Sequence, residues 1–178
     1  MQPSSRRRRW VLIETGGNQR YIFGSSRLRH VVGASQLVHE VGTGWVPEAV
    51  DACGLSDDTV VMTASGKALL LVDSREAGTA VVRKVTRRAL EEAPGLRVTG
   101  VVGPEFDPQA PLEHERARAE TYGQMSLVRA ARPPLQNRDR VFPWHELCRY
   151  SGQPAARRER YGGDEPPVPT AAAMLARS

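Results

Sequence analysis

Glu14, the Gly16-Gly17-Asn18 turn and Lys67 are the residues of this 178-residue chain that point most directly to phosphate chemistry. Glu14 closes the apolar run Trp10–Ile13. Just after it, the backbone N–H groups of Gly16, Gly17 and Asn18 can be offered to phosphate oxygens. Lys67 lies in Thr63-Ala64-Ser65-Gly66-Lys67, where its ammonium can pair with a phosphate directly. The plainer alternative is a solvated turn lysine. Gly33-Ala34-Ser35 is a notch of small residues inside a helical pattern. A glycine there costs about 1 kcal/mol relative to alanine, so the notch serves close packing or the approach of a ligand.

Other chemistry finds less support. Cys53 has no histidine near it in the sequence, and no Ser-His-Asp or Cys-His arrangement stands out. His30 and His39 do not share a helical face well, and His114 stands alone, so all three read as surface histidines. Cys53 and Cys148 are far apart and read as free thiols.

The elements that must position these groups follow from periodicity. Trp10–Ile13 fits a buried strand, and Tyr21-Ile22-Phe23 is a second apolar cluster closed by Gly24. Ser25 or Ser26 suits a helix N-cap. Leu28, Val31, Val32, Ser35, Val38 and Val41 then recur at helical spacing until Gly42 and Gly44 stop the pattern. Residues 45–58 read as a connection. Thr59–Met62 and Ala68–Val72 are two strands around the hairpin turn at 63–67. Asp73 suits an N-cap with Glu76 at the capping-box position, opening a helix through Ala89 that ends at Pro94-Gly95. Leu96–Val102 is a last strand. The order is βαββαβ, an α+β ferredoxin-like split unit: an antiparallel sheet with two helices on one face. Beyond Pro104 come an amphipathic helix over Leu112–Arg132, a compact aromatic segment from Phe142 to Ala155, a charged linker over 156–170, and the start of a helix at Thr170–Arg177. The expected division is a disordered basic arm (1–9), a ferredoxin-like domain (10–104), a helical extension (105–155), and a linker with the start of a helix (156–178).

The net charge is +5, carried almost wholly by arginine. The planar guanidinium fork suits phosphate, so nucleotides or RNA are candidate partners; scattered arginines on a solvated surface are the competing reading. No run of 18 apolar residues spans a membrane. The stretch after Arg6–Arg9 is too short for a signal-peptide core, which leads to the expectation of a cytoplasmic protein.

The string Glu14–Phe23, followed by Leu28-Arg29 and Gly33-Ala34-Ser35, resembles the first palm strand and helix of the large subunit of type III CRISPR effectors and their relatives. The resemblance covers residues 10–102 and is densest over 14–35. It implies a cyclase/polymerase-like palm in an antiviral defence protein. It also implies nucleotide contacts at Gly16, Gly17, Asn18, Arg29, Ser35, Ser65, Gly66 and Lys67. Active relatives convert ATP to cyclic oligoadenylates with a Gly-Gly-Asp-Asp hairpin turn, using paired palms in one long chain. Two Mg²⁺ ions must clamp the attacking hydroxyl and the leaving phosphate, and hard cations need converging carboxylates. Glu14 stands at the first acidic position as a remnant metal ligand, but the turn reads Ala64-Ser65-Gly66-Lys67 and holds no carboxylate. Gly162-Gly163-Asp164-Glu165 looks like the turn signature of diguanylate cyclases, yet Pro166-Pro167 follows where a palm strand is required. His145, Cys148 and Ser151 fall in a segment resembling the zinc knuckle that follows such palms, with Ser151 in place of the second cysteine; four Cys or His ligands are not assembled.

Three functions compete. One is a palm that binds ATP, another nucleotide or an RNA-containing partner without turnover, alongside CRISPR-like effector proteins. Another is an active Mg²⁺-dependent nucleotidyl cyclase that completes its site with Asp73 or a partner chain. The third is a structural interaction module. The alternation of Val60, Met62, Leu69 and Leu71 gives the sheet a second apolar face, to be covered by the Phe142–Trp144 segment, by a second copy in a homodimer, or by more of a parent protein.

Overall fold

A computed structural model describes residues 7–132, 142–162 and 166–177. Strand β1 (Arg8–Gly16) is flanked by β3 (Lys67–Val72) on one side and β4 (Arg97–Phe106) on the other, both antiparallel to it. Strand β2 (Val60–Ala64) completes the sheet in the order β2-β3-β1-β4. This is the expected βαββαβ order. Successive side chains of β1 point to opposite faces, and the two faces build separate cores. Val11 and Ile13 pack with Leu70, Val81, Val85 and Val98 on one face. Trp10 and Leu12 pack with Leu69, Val101 and Phe106 on the other.

The first face is covered by α2 (Leu28–Glu40), α3 (Val46–Asp51) and α4 (Arg75–Glu92). Gly42 and Gly44 do not stop the helical path. It continues through a five-residue π turn, Val41–Trp45, into α3, which occupies part of the expected connection. Close approach explains Gly42, because a Cβ there would overlap the carbonyl oxygen of Ala64 at the end of β2. Tyr21-Ile22 likewise belongs to a short helix, α1 (Asn18–Ile22), launched by Gly17 at φ 68°. Neither Ser25 nor Ser26 is the N-cap of α2. That position is Arg27, while Ser25 Oγ accepts from Arg27 N and meets His30 Nδ1 at 2.9 Å. For α4 the cap is Ser74, whose Oγ accepts from Ala77 N; Asp73 instead pairs with Arg8 Nε at 2.9 Å.

The second face is covered from within the chain by α5 (Pro111–Ala131), through Ala117, Met125 and the half-buried Tyr122. The Phe142–Trp144 segment does not provide this cover: its two rings stack on each other, and Trp144 is 76% exposed. With α5 in place, the sheet no longer presents the bare face that called for a second copy. Val60 also departs from the expected alternation. A register irregularity between Val60 and Met62 turns Val60 toward the first core, while Met62 stays opposite Leu69.

The expected basic arm overlaps the fold, since Arg8 and Arg9 open β1; residues 1–6 lie outside the described residues. Residues 156–170 contain a small hairpin of β5 (Arg157–Glu159) and β6 (Val168–Thr170), followed by α6 (Ala172–Leu175). Residues 163–165 of the Gly-Gly-Asp-Glu string lie outside the described residues. The carboxyl-terminal segment docks on α2 at Gly33, where a Cβ would overlap Arg177 O. That part of the small-residue notch therefore serves close packing with this chain's own backbone. No helix among the described residues is long and apolar enough to cross a membrane.

Candidate functional site

The end of the sheet that holds Glu14 is assembled by the β2–β3 hairpin. Its loop is only Ser65 and Gly66, with Gly66 at φ 69°, a conformation that residues with side chains rarely adopt. Thr15 N donates to Gly66 O at 2.7 Å, fastening the loop to β1. Lys67 is thereby set opposite Glu14 in the β1–β3 register. Glu14, Gly16, Gly17, Ser65, Gly66 and Lys67 thus come to one end of the sheet, with Asn18 opening α1 beside them. Arg29 and Ser35 do not join them. Arg29 stacks over Tyr161 at 5.4 Å, and Ser35 is exposed on α2.

Glu14 faces α5 and is only 14% exposed. Lys67 Nζ lies 2.9 Å from its Oε1, and Arg129 Nη1 lies 2.9 Å from its Oε2. Both carboxylate oxygens are engaged by cations. The hydrogen bond to Glu14 raises the Lys67 pKa above its ordinary value; burial opposes this, and Tyr122 adds to it. Lys67 also sits over the Tyr122 ring, 4.7 Å from its centroid.

A hard divalent cation does not fit this arrangement. Lys67 and Arg129 occupy the oxygens a metal would take, and like charge repels it. Asp73 gives no help: it follows Val72 at the far end of β3, about 20 Å from Lys67 at ~3.3 Å per residue. No group of three His, Cys, Asp or Glu able to hold a metal is found among the described residues.

Sequence reasoning missed Arg97, Thr99, Arg129 and Arg132, which with Gly16 line a pocket of about 90 Å³ beside Glu14. No motif marks them. They meet because Thr99 and Arg97 stand opposite Glu14 and Gly16 in the β1–β4 register, while α5 ends above them.

Among the histidines, His30 is not a surface residue. It is fully buried, with edge-on ring contacts to Tyr150 and Tyr161, and Arg27 lies 4.7 Å from the centroid of each tyrosine. Burial first, then the charges of Arg27, Arg177 and Arg29, lower its pKa below 6.5. Below pH 6.5 the unfolded chain therefore binds a proton that the folded chain refuses. Stability contributed above that pH is lost as the pH falls toward the depressed value. The thermal midpoint should drop between about pH 7.5 and about pH 5.5, and His30→Leu should shrink the drop. An equal drop in the variant would rule out His30 as its source.

In the knuckle-like segment, Cys148 is buried beside Ser151. Burial tends to raise its pKa, but hydrogen bonds from Ser151 and from the backbone at Ala171, Tyr150 and Ser151 together lower it. His145 Nδ1 accepts from Phe142 N.

Fold and site together define a single palm, a four-stranded antiparallel sheet with its acidic strand end neutralised by cations. No family model matches the chain, and no curated protein does. Solved structures do. The Csm1-Csm4 cassette in complex with pppApApA aligns with a TM-score of 0.60 at 16% identity, over 74% of this chain and 21% of the other. The Csm1-Csm4 subcomplex of the type III-A CRISPR-Csm interference complex gives 0.59 at 16%, over 73% and 20%. Csm1 of T. onnurineus gives 0.55 at 15%, over 70% and 19%. The chain therefore has a fold found within Csm1 and spans about a fifth of those chains. The resemblance drawn from residues 14–35 is upheld at the level of fold.

Proposed function

We propose that this chain is a CRISPR-associated palm domain that binds a nucleotide and does not turn it over. The observation that carries this reading is the double engagement of Glu14 by Lys67 and Arg129. Metal-assisted phosphoryl transfer works through positioning and charge neutralisation by the ions. In this palm the side chains bring the positive charge themselves, which suits holding phosphates in place. Gly16, Gly17 and Asn18 would offer backbone N–H groups beside Lys67. Neighbours of the same fold were solved as Csm1-Csm4 cassettes in complex with AMPPNP and with pppApApA, and these supply the ligand class. A Csm4-like protein and RNA are the corresponding partner candidates.

The test is to incubate the chain with ATP and Mg²⁺, recover the protein-bound nucleotide and chromatograph it. The expected result is bound ATP, unchanged. Cyclic or linear oligoadenylates that disappear in Glu14→Ala would replace this reading with the cyclase.

A further inference from the structure

The pocket lined by Gly16, Arg97, Thr99, Arg129 and Arg132 has a composition that the Glu14–Lys67 pair does not explain. No carboxylate lines it. Arg97 and Arg129 bracket the Gly16-Gly17 backbone from two elements: a Cβ on Gly16 would lie 3.2 Å from Arg129 Nη2, and one on Gly17 would lie 3.0 Å from Arg97 Nη2. The absence of side chains on the two glycines thus lets the guanidinium groups of Arg129 and Arg97 lie close against this turn. Thr99 adds a buried hydroxyl to the lining, and Arg132 Nη1 is anchored on Val98 O at 3.0 Å.

Two features make this an anion site rather than a solvated basic patch. Arg97 Nε is buried and has no hydrogen-bond partner. Buried donors are nearly always satisfied, so an orphan on a charged group calls for a missing acceptor. Arg129 spends Nη1 on Glu14 and keeps Nη2 on the Gly16 side. A guanidinium offers five N–H donors in a planar fork that matches phosphate oxygens. The negative end of α5, about half a charge, and the Glu14 carboxylate on Arg129 are together outweighed by the charges of Arg97, Arg129, Arg132 and Lys67.

The geometry points to a phosphoryl-binding subsite formed by Arg97 and Arg129 against the Gly16-Gly17 backbone, taking the phosphate end of a nucleoside di- or triphosphate. It deepens the nucleotide reading above and rests on it for the nucleoside part of the ligand. A pocket of about 90 Å³ takes a phosphoryl group and leaves the base outside.

Calorimetric titration of the full chain with ATP, adenosine and inorganic pyrophosphate, in EDTA, tests the subsite. The wild type should bind ATP at least about tenfold more tightly than adenosine. Arg97→Gln should weaken ATP and pyrophosphate about tenfold and leave adenosine unchanged, the size expected for losing one charge-assisted contact. Arg97→Lys keeps the charge without the fork; a recovery smaller than wild type assigns the effect to the bidentate contact and controls for folding. ATP binding unaffected by Arg97→Gln would overturn the subsite and leave the nucleotide reading standing. Arg97-dependent pyrophosphate binding with no added affinity for ATP would keep the subsite and remove the nucleotide. Binding of neither ATP nor pyrophosphate overturns both.

Discussion

Gly42→Val should lower the stability of this chain by about 3 kcal/mol, the upper range for forcing atoms into a packed interior. For a domain of this size that shifts the thermal midpoint by roughly 10 °C. A Cβ at Gly42 would overlap the carbonyl oxygen of Ala64, which is backbone and cannot turn aside as a flexible side chain would. Either the π turn moves off the hairpin or β2 moves off β3. Both displace the Ser65-Gly66 loop that sets Lys67 opposite Glu14, so the variant should also lose nucleotide affinity. Gly44→Val is the informative control, because its nearest neighbour is the end of the flexible Glu40 side chain. Equal losses in the two variants would show that the hairpin contact is not what Gly42 serves.

Glu14→Gln should tighten binding of ATP, by about tenfold, while lowering stability by about 1–2 kcal/mol. The stability loss follows because the amide oxygen can accept from only one of Lys67 and Arg129, while the amide NH2, itself a donor, cannot accept from the other. The gain in affinity follows because the carboxylate competes with phosphate for Lys67 and Arg129. Removing one negative charge a few ångströms from a bound anion also relieves repulsion, worth about 1 kcal/mol or more near a protein surface. A palm that bound nucleotide through a metal on Glu14 would respond in the opposite direction. The sign of the change, read by titration calorimetry, separates the two.

The residues that revealed the fold were those in continuous apolar runs or at regular helical spacing. The Trp10–Ile13 strand, the β2–β3 hairpin, and the α4 and α5 spacings were all legible, because a strand buried on both faces leaves a continuous apolar run and a helix buried on one face leaves its period in the sequence. What escaped was decided by tertiary contact. Gly42 and Gly44 look like a helix stop, yet the approach to Ala64 makes a glycine useful inside a continuous helical path. Tyr21-Ile22-Phe23 shows only an apolar cluster with no period of its own, and Gly17 in the left-handed region turns the chain into α1 through Tyr21 and Ile22. Asp73 and Ser74 are both good caps; Arg8, across the sheet, takes the aspartate. The irregularity between Val60 and Met62 breaks an alternation that composition alone presents as regular.

The candidate site shows the same division. Glu14, the glycine pair and Lys67 could be picked out because they sit at turns beside strands. Arg129 and Arg132 could not, since their partners lie more than thirty positions away in sequence: Arg129 reaches Glu14 across 115 positions and Arg132 reaches Val98 across 34. The covering role of α5 was hidden for a related reason. Its apolar positions are evident, but which surface they cover depends on the sheet face that Trp10 and Leu12 present.

If protein cations stand in for metal ions in this palm, as proposed, nucleotide binding needs no Mg²⁺. Titration of the chain with ATP in EDTA, repeated with excess Mg²⁺, tests it most directly. The expected result is binding in EDTA that Mg²⁺ leaves unchanged or weakens, because the ion screens the phosphates that Lys67 and the arginines would hold. Binding that appears only with Mg²⁺, and is lost in Glu14→Gln, would contradict it.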